Sequence, residues 1–337
     1  MSADGHPEGL VDSYGRVHRA LRVSVTDRCN LRCRYCLPHE HQQWMHRTDL
    51  LSHEELVRVV ELFARLGIDR LRVTGGEPLV RRGIVDLIGR FAATEGIEEV
   101  SLTTNGVLLE PLVPGLVAAG LARANVSLDS LDPERFTQIT RRRDLDRVLA
   151  GIDALLAEPR LRPVKVNAVV MRGLNEADIL PLAEFAREHE VVVRFIEVMP
   201  LDAARSWERV DVLSGADVRA MIGARWPLEP VGRMHTADTG VRFRFADRPE
   251  RMIETVSSVT ESFCAQCDRL RLTADGHLKT CLFAQDETDL RGPLRVGADD
   301  DELEEIVREA VWGKGPGHGM SDPHWRYAGR PMNRIGG

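Results

Sequence analysis

Six short runs rich in Val, Ile, Leu and Thr, each followed by a longer amphipathic segment, fill residues 21–197. The runs are 21–26, 70–74, 99–104, 123–128, 164–170 and 191–197. This alternation predicts a parallel sheet, because a strand can lie parallel to its predecessor only after a crossover, which a helix supplies. The clearest helix covers 52–66: Ser52 and Glu55 form a capping box, Leu56, Val59, Val60, Phe63 and Leu66 recur at helical spacing, and Gly67 stops it. Further helices are predicted at 83–95, 111–119, 145–157 and 176–189, with Pro111 and Pro133 suited to first turns. Two closures fit the pattern, a doubly wound open sheet or a curved partial (β/α) barrel. In both, ligands belong at the carboxyl ends of the strands.

The pattern changes after Pro200. Segments 241–247 and 251–260 alternate like antiparallel strands, two more runs flank the Asp275-Gly276 hairpin dipeptide, and a helix covers about 300–311. This predicts an N-terminal extension over 1–20, a core over 21–200, a C-terminal segment over 201–312 and an irregular Gly-rich tail over 313–337.

A chain of 337 residues, 43% hydrophobic and 29% charged, can bury a substantial core. It contains no apolar run of the roughly 18 residues that a membrane span needs and no secretory h-region, so a cytoplasmic protein without membrane contact is expected. A net charge of -7 argues against a nucleic-acid partner. Against that background Arg16, Arg19, Arg22, Arg28, Arg32 and Arg34 share one stretch with the single acid Asp27, which suggests an anion pocket or a solvated basic face.

The cysteines form two triplets, Cys29-x3-Cys33-x2-Cys36 and Cys264-x2-Cys267-x13-Cys281. In a long chain without a secretory signal this spacing reads as metal or cluster ligation rather than disulfides. A zinc ion would need a fourth ligand, with His39 or His41 near the first triplet and His277 near the second. A [4Fe–4S] cluster takes one cysteine per iron, so three cysteines would leave one iron open to bind a small molecule. Arg269 and Arg271 lie on one side of a predicted strand by its two-residue period, and paired guanidiniums suit phosphate oxygens. Thr74-Gly75-Gly76-Glu77-Pro78 follows the second strand, where glycines allow close backbone approach.

The first triplet, with the aromatic Tyr35 before its last cysteine, resembles the signature of the radical S-adenosylmethionine enzymes. The wider set resembles the GTP 3′,8-cyclase family of molybdenum-cofactor biosynthesis. The similar stretches are Leu21 to Pro38, 72–80, 101–106, 125–129, 194–200, 263–282 and the terminal Gly336-Gly337. The resemblance implies a partial (β/α)6 barrel whose mouth is closed by the β-containing C-terminal segment. It implies two [4Fe–4S] clusters, the first on Cys29, Cys33 and Cys36 and the second on Cys264, Cys267 and Cys281. Tyr35, Gly76, Ser127 and Met199 would contact S-adenosylmethionine. Arg22, Arg72, Thr103, Lys165, Arg269, Leu270 and Arg271 would bind GTP, with Arg22, Arg269 and Arg271 serving catalysis. The implied reaction abstracts the ribose 3′ hydrogen and joins that carbon to C8 of guanine.

An electron donor and a downstream cyclic pyranopterin monophosphate synthase are implied as partners, for a monomer or homodimer. Leu37 stands where many relatives carry Met, a harmless exchange of similar apolar volume. The Arg141–Arg143 run reads as a solvated loop. Two other readings stay open: a peptide-modifying radical enzyme with an auxiliary cluster, and an interaction protein with two zinc sites.

Overall fold

Each of the six predicted runs is a strand: β1 Ala20–Ser24, β2 Arg70–Thr74, β3 Glu99–Thr104, β4 Arg123–Ser127, β5 Val164–Val170 and β6 Val191–Glu197. In the computed structural model, which describes residues 9–37, 42–201, 207–320, 327 and 329–336, they lie side by side in chain order and all parallel. Leu21, Val23, Leu71, Val73, Leu102 and Val126 point outward and are fully buried. Alternate residues such as Arg22, Arg72, Thr103 and Ser127 point inward.

Helix α1, His53–Arg65, has the predicted capping box: Ser52 Oγ accepts from the Glu55 N–H at 3.1 Å, and Glu55 Oε2 accepts from the Ser52 N–H at 2.7 Å. Its Leu56, Val59, Val60 and Phe63 bury against the sheet, and Gly67 takes the left-handed conformation at φ 93° that ends it. The other predicted helices are Ile84–Ala92, Val113–Ala118, Leu145–Leu156 and Ile179–Glu188. Three more were not legible as periodic segments, among them the short Arg291–Val296, which buries only Leu294. Pro133–Thr140 is capped by Asp132 and Gly215–Arg225 by Ser214, but each buries too few apolar side chains to make a pattern.

The C-terminal segment does not form its own sheet. Its strands are β7 Leu228–Gly232, β8 Val241–Phe245, β9 Arg248–Val256, β10 Arg269–Leu272, β11 His277–Lys279 and β12 Thr288–Asp289. The β8–β9 and β10–β11 pairs are antiparallel, as expected. However, β9 also joins β6 in parallel and β10 joins β1 in parallel, so the segment extends both edges of the six-stranded sheet. The order is β12-β11-β10-β1-β2-β3-β4-β5-β6-β9-β8-β7, an open sheet that runs across residue 200.

One cavity of about 300 Å³ touches side chains from β1 through β6 and from β9 and β10. A flat sheet could not present eight strands to one cavity, so the sheet curves into a partial barrel. Of the predicted extension, Leu10–Val11 and Val17–His18 pair as a small antiparallel hairpin, while residues 1–8 lie outside the described residues. The predicted irregular tail is corrected at its end, where Met332–Ile335 forms a helical turn packed into the barrel mouth. Among the described residues no helix is long and apolar enough to cross a membrane.

Candidate functional site

Sheet register brings together arginines that are far apart in sequence. Arg271 on β10 pairs with Arg22 on β1, which pairs with Arg72 on β2. Residues aligned across neighbouring parallel strands share a face, so three guanidiniums line one wall of the cavity and Arg269 joins them one inward position away. Burial and mutual repulsion destabilise their charge: Arg271 is held down to about 10, Arg72 to about 9, and Arg22 is lowered as well. The Arg22 guanidinium has no hydrogen-bond partner among the described residues, and that of Arg72 donates only to Ser101 Oγ at 3.3 Å. A wall of crowded cations, none of them ion-paired to a carboxylate among the described residues, suits an anionic ligand.

The two cysteine triplets lie at opposite ends of this wall. Cys29, Cys33 and Cys36 follow the carboxyl end of β1, whereas Cys267 precedes β10, whose Arg269 aligns with Ala20 at the start of β1. All six thiols are free, half-buried and on the cavity lining. The first loop is held by the Cys36 and Leu37 N–H groups donating to the Cys33 carbonyl at 3.0 and 2.8 Å. Its Arg32 and Arg34 N–H groups donate to the carbonyls of Thr140 and Ile139, both at 3.0 Å.

Burial and Glu77 push the Cys29 thiol up to about 11, and burial pushes Cys36 to about 12 and Cys33 well up. Such thiols become thiolates only beside a strong positive centre, which iron supplies. At the other end, Arg269 and Lys314 hold Cys267 down to about 7 against its burial. Among the described residues no three His, Cys, Asp or Glu side chains converge as ligands of a single ion do. Sulfurs spread around a space fit a cluster, in which each iron takes one thiolate. His277 lies off the cavity lining beside Asp275, and His39 and His41 lie outside the described residues, so none of the histidines expected as a zinc fourth ligand stands on the lining with its triplet among the described residues.

Gly75 and Gly76 are required by the chain's own backbone. A Cβ on Gly76 would meet the carbonyl oxygens of Arg28 and of Asp27, the latter at 2.5 Å, and one on Gly75 would lie 2.7 Å from the Thr26 oxygen. The β2 turn therefore seats directly on the cysteine loop, with the Gly76 and Glu77 N–H groups donating to Thr26 and Arg28 oxygens, both at 2.7 Å. Gly76 still faces the cavity, as do Tyr35, Ser127, Met199 and Thr103.

Two residues expected to bind GTP, Leu270 and Lys165, lie off the cavity lining. Leu270 points to the outer face and is fully buried in the core, because the strand period that turns Arg269 and Arg271 inward turns it outward. Lys165 does not line the cavity; its Nζ is paired with Glu254 Oε1 at 2.8 Å.

Sequence reasoning missed several lining residues. Buried Glu77 accepts from the Asn105 N–H at 2.6 Å, the Thr104 hydroxyl at 2.7 Å and the Leu79 N–H at 3.0 Å, while burial raises it to about 7. The Tyr35 hydroxyl donates to Asp129 at 2.5 Å, and burial pushes Asp129 up to about 6. Asn167 and Arg194 also line the cavity, and Asn167 Oδ1 is buried without a partner among the described residues. A polar residue at every second strand position was the signal that could have found Asn167 and Arg194. The tail closes the other side: Asn333 Nδ2 donates to the Asp27 carbonyl at 3.1 Å, and Arg271 donates to the carbonyl of Gly336.

Residues 23–186 match the Radical SAM superfamily, and residues 191–320 match the Molybdenum Cofactor Synthesis C family. The GTP 3′,8-cyclase of Streptomyces coelicolor is 46% identical over 329 residues, covering 97% of this chain and 96% of its own. The chain belongs to the GTP 3′,8-cyclase family. The GTP 3′,8-cyclase of Rhodopirellula baltica is similar at 45% identity over 98% of this chain and 93% of its own. Among solved structures, Streptococcus suis SuiB bound to S-adenosylmethionine superposes with a TM-score of 0.61 at 15% identity, covering 91% of this chain and 68% of that one. The anSMEcpe structure with bound AdoMet gives 0.57 at 14% identity over 89% of this chain and 81% of its own. At that identity both speak for the fold alone. For a cyclase of this family, the wall of guanidiniums between two thiol triplets is the part of the fold with chemistry to explain.

Proposed function

We infer that this chain is a radical S-adenosylmethionine GTP 3′,8-cyclase, joining C3′ of the ribose of GTP to C8 of its guanine in the first step of molybdenum-cofactor biosynthesis. The carrying observation is the register row Arg271–Arg22–Arg72, flanked at its two ends by the cysteine triplets. Cys29, Cys33 and Cys36 would hold one [4Fe–4S] cluster and Cys264, Cys267 and Cys281 the other. When bound, the first cluster with S-adenosylmethionine would supply one-electron radical chemistry, and the second cluster would offer a further binding point for the substrate.

The chain's own part is to bind, orient and exclude water. Gly76, Tyr35, Ser127 and Met199 line the S-adenosylmethionine end, where the Tyr35–Asp129 hydrogen bond fixes the loop against β4. Arg22, Arg72, Arg269 and Arg271 take the triphosphate, whose charge offsets their mutual repulsion. Thr103 lies one inward position from the Arg72 row toward Ser127, where it would meet the ribose. The Gly336 end of the tail covers the row through Arg271 and keeps water from the reacting carbons. A one-electron donor and a cyclic pyranopterin monophosphate synthase are the partners this activity calls for, in the cytoplasm, with the chain acting as a monomer or homodimer.

Anaerobically reconstituted protein, incubated with S-adenosylmethionine and dithionite with and without GTP, tests the reading by mass spectrometry. GTP-dependent 5′-deoxyadenosine together with a cyclised GTP isomer is expected. Release of 5′-deoxyadenosine without a GTP product would overturn the substrate.

A further inference from the structure

Lys314 is a buried cation, 3% exposed, with no carboxylate in ion-pair reach among the described residues. Its three N–H bonds face three acceptors: the Arg269 carbonyl at 2.9 Å, His18 Nδ1 at 3.4 Å and Cys267 Sγ at 3.8 Å. His18 is fully buried and its Nε2 lies 3.0 Å from Asp12 Oδ2. A carboxylate oxygen only accepts, so Nε2 carries the proton and Nδ1 is left to accept from Lys314. The same Asp12 oxygen takes the Arg16 Nε at 2.6 Å. The Arg16 guanidinium then donates to the carbonyls of Cys264 at 2.9 Å, Pro316 at 3.0 Å and Gly315 at 2.6 Å. Asp12 thus fixes both the residues after Lys314 and the ring that aims its ammonium. Lys314 does not line the cavity, so it reaches the site through Cys267 and the Arg269 backbone.

An uncompensated buried ammonium costs several kcal/mol. The nearest group able to carry negative charge is the Cys267 sulfur, which does so once it is a cluster thiolate. We propose that Lys314 is the charge partner of the second cluster: positioned by the Asp12–His18 pair, it donates an N–H···S hydrogen bond to Cys267 and raises the reduction potential of that cluster. Added electrons stabilise a neighbouring positive charge, and hydrogen bonds to cluster sulfurs act in the same direction. Arg269 Nη2 also donates to Cys267 Sγ, at 3.3 Å, but Arg269 lies on the cavity lining where an anionic substrate competes for its guanidinium, whereas Lys314 lies off that lining.

The proposal rests on the reading that Cys264, Cys267 and Cys281 hold a cluster. It is tested on the reconstituted full chain by a redox titration followed by electron paramagnetic resonance, assigning to the first cluster the signal that S-adenosylmethionine alters. Lys314→Met should keep its full iron load and shift the reduced-to-oxidised ratio of the second cluster roughly tenfold toward oxidised, ~59 mV for a one-electron couple. The first cluster should not shift. His18→Leu, which keeps the ammonium but removes its anchor, should shift the second cluster the same way by a smaller factor. Full iron with an unchanged second-cluster potential in Lys314→Met overturns the proposal. If that variant fails to retain the cluster, an unchanged potential in His18→Leu overturns it instead. Wild-type protein that holds iron for one cluster only would overturn the two-cluster reading itself, which iron analysis distinguishes from either result.

Discussion

Arg271 donates a hydrogen bond from Nη1 to the carbonyl oxygen of Gly336, joining the strand between Cys267 and Cys281 to the C-terminal tail. Gly336 has φ 89°, and a Cβ there would lie 2.6 Å from Thr74 Oγ1 and 2.9 Å from Ser24 Cβ. Gly336→Ala must therefore both leave a left-handed backbone, at roughly 1–2 kcal/mol, and move off β1 and β2. The expected result is a lower yield of cyclised nucleotide with cleavage of S-adenosylmethionine retained. Quantifying both products in one reaction checks it.

Arg22 and Arg271 are neighbours in the register row and face the same ligand. Each charge-assisted contact to phosphate contributes about 1.5–3 kcal/mol. Arg22→Ala and Arg271→Ala should each lower kcat/KM for GTP by roughly 10- to 100-fold or more, with iron content unchanged. Steady-state kinetics beside iron analysis would show it, and normal kinetics in Arg271→Ala would remove the row from the substrate site.

Gly76→Ala tests the seat of the β2 turn on the cysteine loop. Its Cβ would meet backbone oxygens of Asp27 and Arg28, which cannot swing away as a side chain can. Overpacking of this kind costs about 1–3 kcal/mol. Iron should be lost at the first triplet and kept at the second, leaving about half the wild-type iron.

Glu254 carries the pH prediction. It is buried and paired with Lys165 at 2.8 Å, Arg194 at 2.6 Å and Arg242 at 2.9 Å. Against the burial that would raise it, Arg194 and Lys165 hold its carboxyl down to about 2, below its ordinary 4.5. A depressed carboxyl stabilises the fold above its unfolded value and loses that contribution as pH falls through its folded value. Glu254→Gln should therefore cost about 3 kcal/mol at pH 7, because it leaves buried cations unpaired. The difference from wild type should shrink between pH 4.5 and 2, which urea unfolding of both proteins across that range measures. A constant difference would contradict it.

Most of the core was legible because its signals are local. The run 164–170 is a strand over the same residues, and the capping box at Ser52 and Glu55 and the stop at Gly67 stand as predicted. Of the helix Pro133–Thr140 only the start at Pro133 was legible, since two turns carrying only Phe136 and Ile139 as large apolar residues make no period. The parallel pairing of Arg248–Val256 with β6 was equally hidden, because its alternation is the same whichever neighbour it joins.

At the site, sequence alone determined which residue types could do chemistry and at what spacing: two triplets of thiols, paired glycines after a strand, and inward arginines on two-residue periods. Only the tertiary structure decided which of them meet. Register between strands aligned Arg271 with Arg22 and Arg72, turned Leu270 away, and gave Lys165 to Glu254. It also set Lys314 against Cys267 and His18, 47 and 296 residues away in the chain. Spacing along a chain fixes what neighbours share, whereas strand pairing and burial are decided by the free energy of the whole sheet and its covering helices, which no local window contains.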